Sequence, residues 1–137
     1  MQTSRQNPRA SQRRRDLVTR AVRLLAWAVT VMILWLTLAP DGPSLPTRMA
    51  HVDKLWHALA FFGWAMLIAA GWRCPAWVVL AGGLCLGGAI EVIQPLAGRD
   101  AELADLAADL LGAGLGLWAG ARLRGVIRSA PARPVVT

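Results

Sequence analysis

Between Asp53 and Asp109 the chain gathers the residue types of acid–base and ion-binding chemistry. Asp53, Lys54 and His57 fall in one short stretch, Glu91 and Gln94 are three apart, and Arg99, Asp105 and Asp109 follow. Asp53 and His57 are four apart, which puts them on one face of a helix. Carboxylates beside an imidazole can move a proton, ligate a divalent ion or receive a polar head group. The nucleophile is restricted: the serines are Ser4, Ser11, Ser44 and Ser129, there is no tyrosine, and Cys85 lies about two helical turns from Glu91. Any catalysis would therefore use a carboxylate, the histidine or metal-bound water. No spacing matches a recognised metal signature, so neither a metal nor a cofactor is expected.

The elements that must position these groups are strongly apolar. Hydrophobic residues make up 55% of the 137. Leu24–Pro40, Leu55–Trp72 and Cys74–Ile90 contain no Asp, Glu, Lys or Arg. Each is long enough to span a hydrocarbon core of about 30 Å as a helix, and none shows the polar stripe of a soluble helix. The interval between Asp109 and Arg122 is only about 18 Å long, too short to cross alone. A fourth span must begin near Leu103 and carry Asp105 and Asp109 into the membrane. The expected fold is thus an all-α bundle of four transmembrane helices at about 22–39, 55–71, 76–94 and 103–121. Three spans with a re-entrant fourth segment is the competing topology. Residues 1–20 read as a disordered basic tail, 21–122 as the membrane domain, and 123–137 as a second basic tail. Pro95 should end the third helix and Asp100 cap the fourth.

With four spans, twelve of the fifteen Lys and Arg fall on one side and only Arg48, Lys54 and Arg99 on the other. The positive-inside rule then places both termini in the cytoplasm, with the bacterial inner membrane the expected location. The net charge of +7 is read as topogenic charge attracted to anionic lipid, not as a nucleic-acid footprint. The bilayer is the expected partner. A cleaved signal peptide ending near Ala39 is disfavoured by Pro40 and the long n-region. Cys74 and Cys85 lie on one helix about 16 Å apart and cannot pair with each other.

Glycines carry the packing. Gly83 and Gly87 continue to Glu91 at spacing four; Asp105 and Asp109 lead into Gly112 and Gly116. Small residues at such spacing let helix backbones approach closely. The acids extend the packing faces and should point into the bundle. Spans three and four are expected to be neighbours through Gly83/Gly87 and Gly112/Gly116. Asp53 should lie at the mouth of the resulting pocket, Asp109 at its floor away from any cation, and Arg99 or His57 beside Asp105. A purely structural clasp fixing helix register is the alternative role.

The residues Asp53, Lys54 and His57 in DKLWH, then Glu91 and Gln94, Gly98 and Arg99, Asp105, a polar residue at 109, and Gly112 with Gly116 resemble the VanZ-like membrane proteins. The resemblance covers about residues 40–120, and position 109, commonly Asn in that family, is Asp here. It implies a small polytopic bacterial envelope protein, associated through its founding member with resistance to the glycopeptide teicoplanin. The expected function is binding of a lipid, cell-wall precursor or glycopeptide at an outward polar site between helices two, three and four. The alternative is a membrane enzyme acting on a lipid-linked substrate by acid–base or metal-assisted chemistry. A non-enzymatic role is favoured.

Overall fold

A computed structural model describes residues 8–38, 50–98 and 100–129. They form α1 (Pro8–Leu38), α2 (Ala50–Gly71), α3 (Ala76–Ile93), a short 3-10 helix (Gln94–Ala97) and α4 (Leu103–Ser129), with no strand among the described residues. All four α-helices are long and apolar enough to cross a bilayer. The chain is an all-α, multi-pass membrane protein. Its outer surface displays Leu24, Trp27, Val31, Leu59, Leu111 and Trp118, each half or more exposed. Such a surface is the one a lipid-facing bundle requires.

Two terminal expectations are corrected. Residues 8–20 are helical and continuous with the first span. Pro8 sits where a helix tolerates proline, and the Ala, Gln and Arg residues after it propagate a helix that the apolar segment has already nucleated. The 31 residues of α1 extend about 46 Å, well beyond a hydrocarbon core. Likewise α4 runs to Ser129, past the expected end near 121. Arg124 anchors that extension: its guanidinium donates to the Ala69 carbonyl at 2.9 Å and the Trp72 carbonyl at 2.7 Å. Arg23 donates to the Gly71 carbonyl at 2.9 Å and lies 5.2 Å from the centre of the Trp72 ring. The orphan carbonyls at the C-terminus of α2 are thereby satisfied by two cations, a favourable sign at the negative end of a helix.

Contacts between helices set their directions. The Arg23–Gly71 bond, together with the 3.1 Å bond from the Trp64 indole to the Thr30 hydroxyl, makes α1 and α2 antiparallel. Gly83 faces Ala113 and Gly87 faces Asp109, so α3 and α4 are antiparallel. The glycines of α4 meet a different neighbour from the one expected. A Cβ on Gly112, Gly116 or Gly120 would strike the carbonyl oxygen of Ala58, Phe62 or Met66 respectively. The seam thus lies between α4 and α2, which run parallel, and Gly83 and Gly87 serve α3 separately. Sequence spacing marks a ridge but not the helix that receives it. Around the seam Ile33, Phe61, Trp64, Ala65, Val79, Ile90 and Ala113 form the core.

These directions sort the bundle into two ends. One collects Arg23, Arg124 and the α2 C-terminus. The other collects the start of α2, the close of α3 and the start of α4.

Candidate functional site

That second end is where the chemistry-bearing residues meet. Pro95 interrupts α3, the chain closes through the 3-10 helix, and Gly98 takes a left-handed conformation (φ 74°) that suits glycine. The reversal returns the chain to start α4 at Leu103, so Glu102, not Asp100, is the flanking residue. The Glu102 amide donates to Glu91 Oε2 at 2.7 Å, tying the end of α3 to the start of α4. Asp53 lies in the first turn of α2 and Asp105 in the first turn of α4. Both carboxylates therefore sit at the positive ends of helices.

Lys54 bridges the two helices. Its ammonium donates to Glu102 Oε2 at 2.6 Å and lies 3.3 Å from Asp105 Oδ1. The second contact is an ion pair without hydrogen-bond geometry, since Asp105 Oδ1 is buried with no hydrogen-bond partner. Through its hydrogen bond and its charge, Lys54 holds the Glu102 carboxyl below the ordinary carboxylate range. The cation described beside Asp105 is thus Lys54. Arg99, expected in that role, lies outside the described residues.

One turn further in, His57 Nδ1 and Asp109 Oδ1 are 3.0 Å apart. Asp109 is fully buried, and the expectation that it stands apart from any basic group is corrected by this contact. Its other oxygen, Oδ2, occupies space that Gly87 leaves open: a Cβ there would come within 2.6 Å of it. With Asp109 ionised and the imidazole neutral, the ring carries its proton on Nδ1 and presents Nε2 as an acceptor.

The structure thus joins Lys54 with Asp105 and His57 with Asp109, and leaves Asp53 half-buried at the rim. Glu91 and Gln94 are buried. Glu91 Oε1, Gln94 Oε1, Asp105 Oδ1 and Asp109 Oδ2 are all buried without a hydrogen-bond partner. Such groups cost about 1–3 kcal/mol each when left unpaired, more when charged, which makes them unusual among buried polar atoms. A ring nitrogen of His57 and carboxylate oxygens of Asp53 and Asp105 lie within 4.8 Å of one another, close enough to share an ion. A groove of about 380 Å³ beside Arg73, Arg124 and Arg128 belongs to the opposite end and to none of this chemistry.

No protein-family model, curated protein or solved structure matches the chain.

Glu102 was the residue that spacing did not single out. Its place three residues before Asp105, at the start of a helix carrying acids in its first turn, was the available signal.

Proposed function

We propose that this chain is a VanZ-like protein of the bacterial inner membrane with both termini in the cytoplasm. In this reading the polar end faces outward and binds the head group of a lipid, a cell-wall precursor or a glycopeptide. One observation carries the reading: four buried oxygens at that end are without hydrogen-bond donors, Asp105 Oδ1 having only its ion pair with Lys54. A ligand rich in hydroxyls or amines would supply them, and would do so inside a lipid-facing bundle where a bare buried acceptor is costly. The excess of carboxylates favours a neutral or cationic head group over a naked anion.

The test is direct binding to the purified full-length protein in nanodiscs, using teicoplanin, an undecaprenyl-linked disaccharide precursor and an aminated phospholipid as separate titrants. Saturable binding of one, weakened at least tenfold by Gln94→Leu or Glu91→Gln, is expected. Absence of saturation with all three refutes the reading. An active periplasmic reporter fused after Thr137 refutes the orientation.

A second reading follows from the His57–Asp109 pair. A histidine oriented by a buried carboxylate is the arrangement of a general base, and Nε2 would activate water against a lipid-linked ester. Turnover of such a substrate, lost in His57→Gln, is the observation that distinguishes an enzyme from a binding protein.

A further inference from the structure

We propose that Asp53, His57 and Asp105 bind one divalent transition-metal ion of the Zn²⁺ or Mn²⁺ class, with Asp109 orienting the histidine. This goes beyond head-group binding and stands without it. Asp53 and His57 lie on successive turns of α2, while Asp105 opens α4, which runs parallel to α2. Their candidate ligand atoms lie within 4.8 Å of one another. Metal–ligand bonds of about 2.0–2.2 Å put ligand atoms roughly 2.8–4.4 Å apart around one ion, depending on the angle between them. Side-chain movements of about an ångström would therefore close the site.

Three further observations point to a cation. First, His57 Nδ1 is engaged by Asp109 Oδ1 at 3.0 Å. A metal-bound histidine ordinarily makes this contact, donating its second N–H to a carboxylate and turning the other nitrogen toward the ion. Second, Asp105 is 4% exposed and its Oδ1 has no hydrogen bond. The Lys54 ammonium stands 3.3 Å from that oxygen but is bonded more closely, at 2.6 Å, to Glu102. Lys54 can release Asp105 to a metal while keeping Glu102. Third, the described acids at this end are Asp53, Glu91, Asp100, Glu102, Asp105 and Asp109, and the one permanent cation described in contact with them is Lys54. A divalent ion offsets this imbalance at the buried Asp105, where solvent cannot. One imidazole nitrogen with two carboxylates suits Zn²⁺ or Mn²⁺ better than Mg²⁺ or Ca²⁺, which favour all-oxygen sites. Three protein ligands leave positions open for water or for a bound molecule.

The experiment uses full-length protein in detergent, stripped with chelator and titrated separately with Zn²⁺, Mn²⁺, Mg²⁺ and Ca²⁺. Metal per chain is read by elemental analysis and nitrogen coupling to Mn²⁺ by pulsed EPR. One Zn²⁺ or Mn²⁺ per chain is expected, with a Kd in the micromolar range or tighter and nitrogen coupling that disappears in His57→Ala. Asp53→Asn, at the half-buried rim where folding is least at risk, should weaken binding at least tenfold. Asp109→Asn should weaken it about 10–100-fold without changing the stoichiometry. Lys54→Met should tighten it. Lack of saturation at millimolar metal, binding indifferent to Asp53→Asn and His57→Ala, or a preference for Mg²⁺ or Ca²⁺ overturns the proposal. None of these outcomes depends on a head-group ligand being found.

Discussion

Replacing Gly116 by alanine tests the seam that holds the site together. The added Cβ would meet main-chain atoms of α2: the Phe62 carbonyl oxygen, its carbon at 2.9 Å and its Cα at 3.0 Å. A side chain could rotate away, but a helix backbone cannot, so α2 and α4 must separate locally. Overpacking costs about 1–3 kcal/mol, and a clash with backbone belongs in the upper part of that range. Alanine's better helix propensity returns up to about 1 kcal/mol. The net expectation is a loss of about 1–2 kcal/mol. Gly114 is the internal control, two residues away on the same helix with nothing within 4 Å of an added Cβ. Gly114→Ala should be neutral or stabilising by up to about 1 kcal/mol. The two variants should therefore differ by about 2 kcal/mol, roughly 30-fold in the unfolding equilibrium. Reversible unfolding in mixed micelles, followed by circular dichroism against denaturing detergent, measures this difference. Equal stability of the two variants would refute the backbone contact, whatever their shift from wild type.

Other expectations can be checked with the same preparation. Gly87→Ala should destabilise by about 1–3 kcal/mol, because its Cβ would lie 2.6 Å from Asp109 Oδ2 and 3.1 Å from Leu106 Cδ1. Most of that effect should vanish in an Asp109→Ser background, as a double-mutant cycle would report. Since Lys54 lowers the Glu102 pKa, that ion pair stabilises fully above the ordinary glutamate range. Its contribution should be lost as pH falls through the lowered folded-state value, with the stability curves of wild type and Glu102→Gln converging in acid. Arg124→Ala should cost about 1–3 kcal/mol by freeing the Ala69 and Trp72 carbonyls. Hydrogen exchange should then rise at the C-terminal turn of α2 and not at its start.

The helices and their polar end were legible because lipid imposes a severe rule on composition. Uncharged stretches long enough to cross give helices, and acids on their packing faces must turn inward. Partner choice was less legible. Gly112 and Gly116 announced a close approach, but their spacing is equally compatible with α2 and α3 as the receiving helix. The pairing of His57 with Asp109 and of Lys54 with Glu102 depends on α2 and α4 running parallel in one register, a relation between segments some fifty residues apart in the sequence. The proposed ion site was hidden for the same reason: its three residues are split between two helices, so no contiguous motif exists. The helical character of residues 8–20 was obscured by charge, which resembles a disordered tail until the helix it prolongs is considered.

The seam distributes its demands unequally between the two helices. What α4 presses against are the carbonyls of Ala58, Phe62 and Met66, groups that every amino acid supplies. Positions 58, 62 and 66 are therefore free to drift through many side chains, while 112, 116 and 120 admit little beyond glycine. Mutational tolerance should be lopsided, with α4 as the rigid template and α2 as the variable member. The residues at the start of α2 stand directly above this permissive register. A lineage could exchange the functional groups on α2, and with them the preferred ligand, without disturbing the joint that keeps the opposing acids in reach.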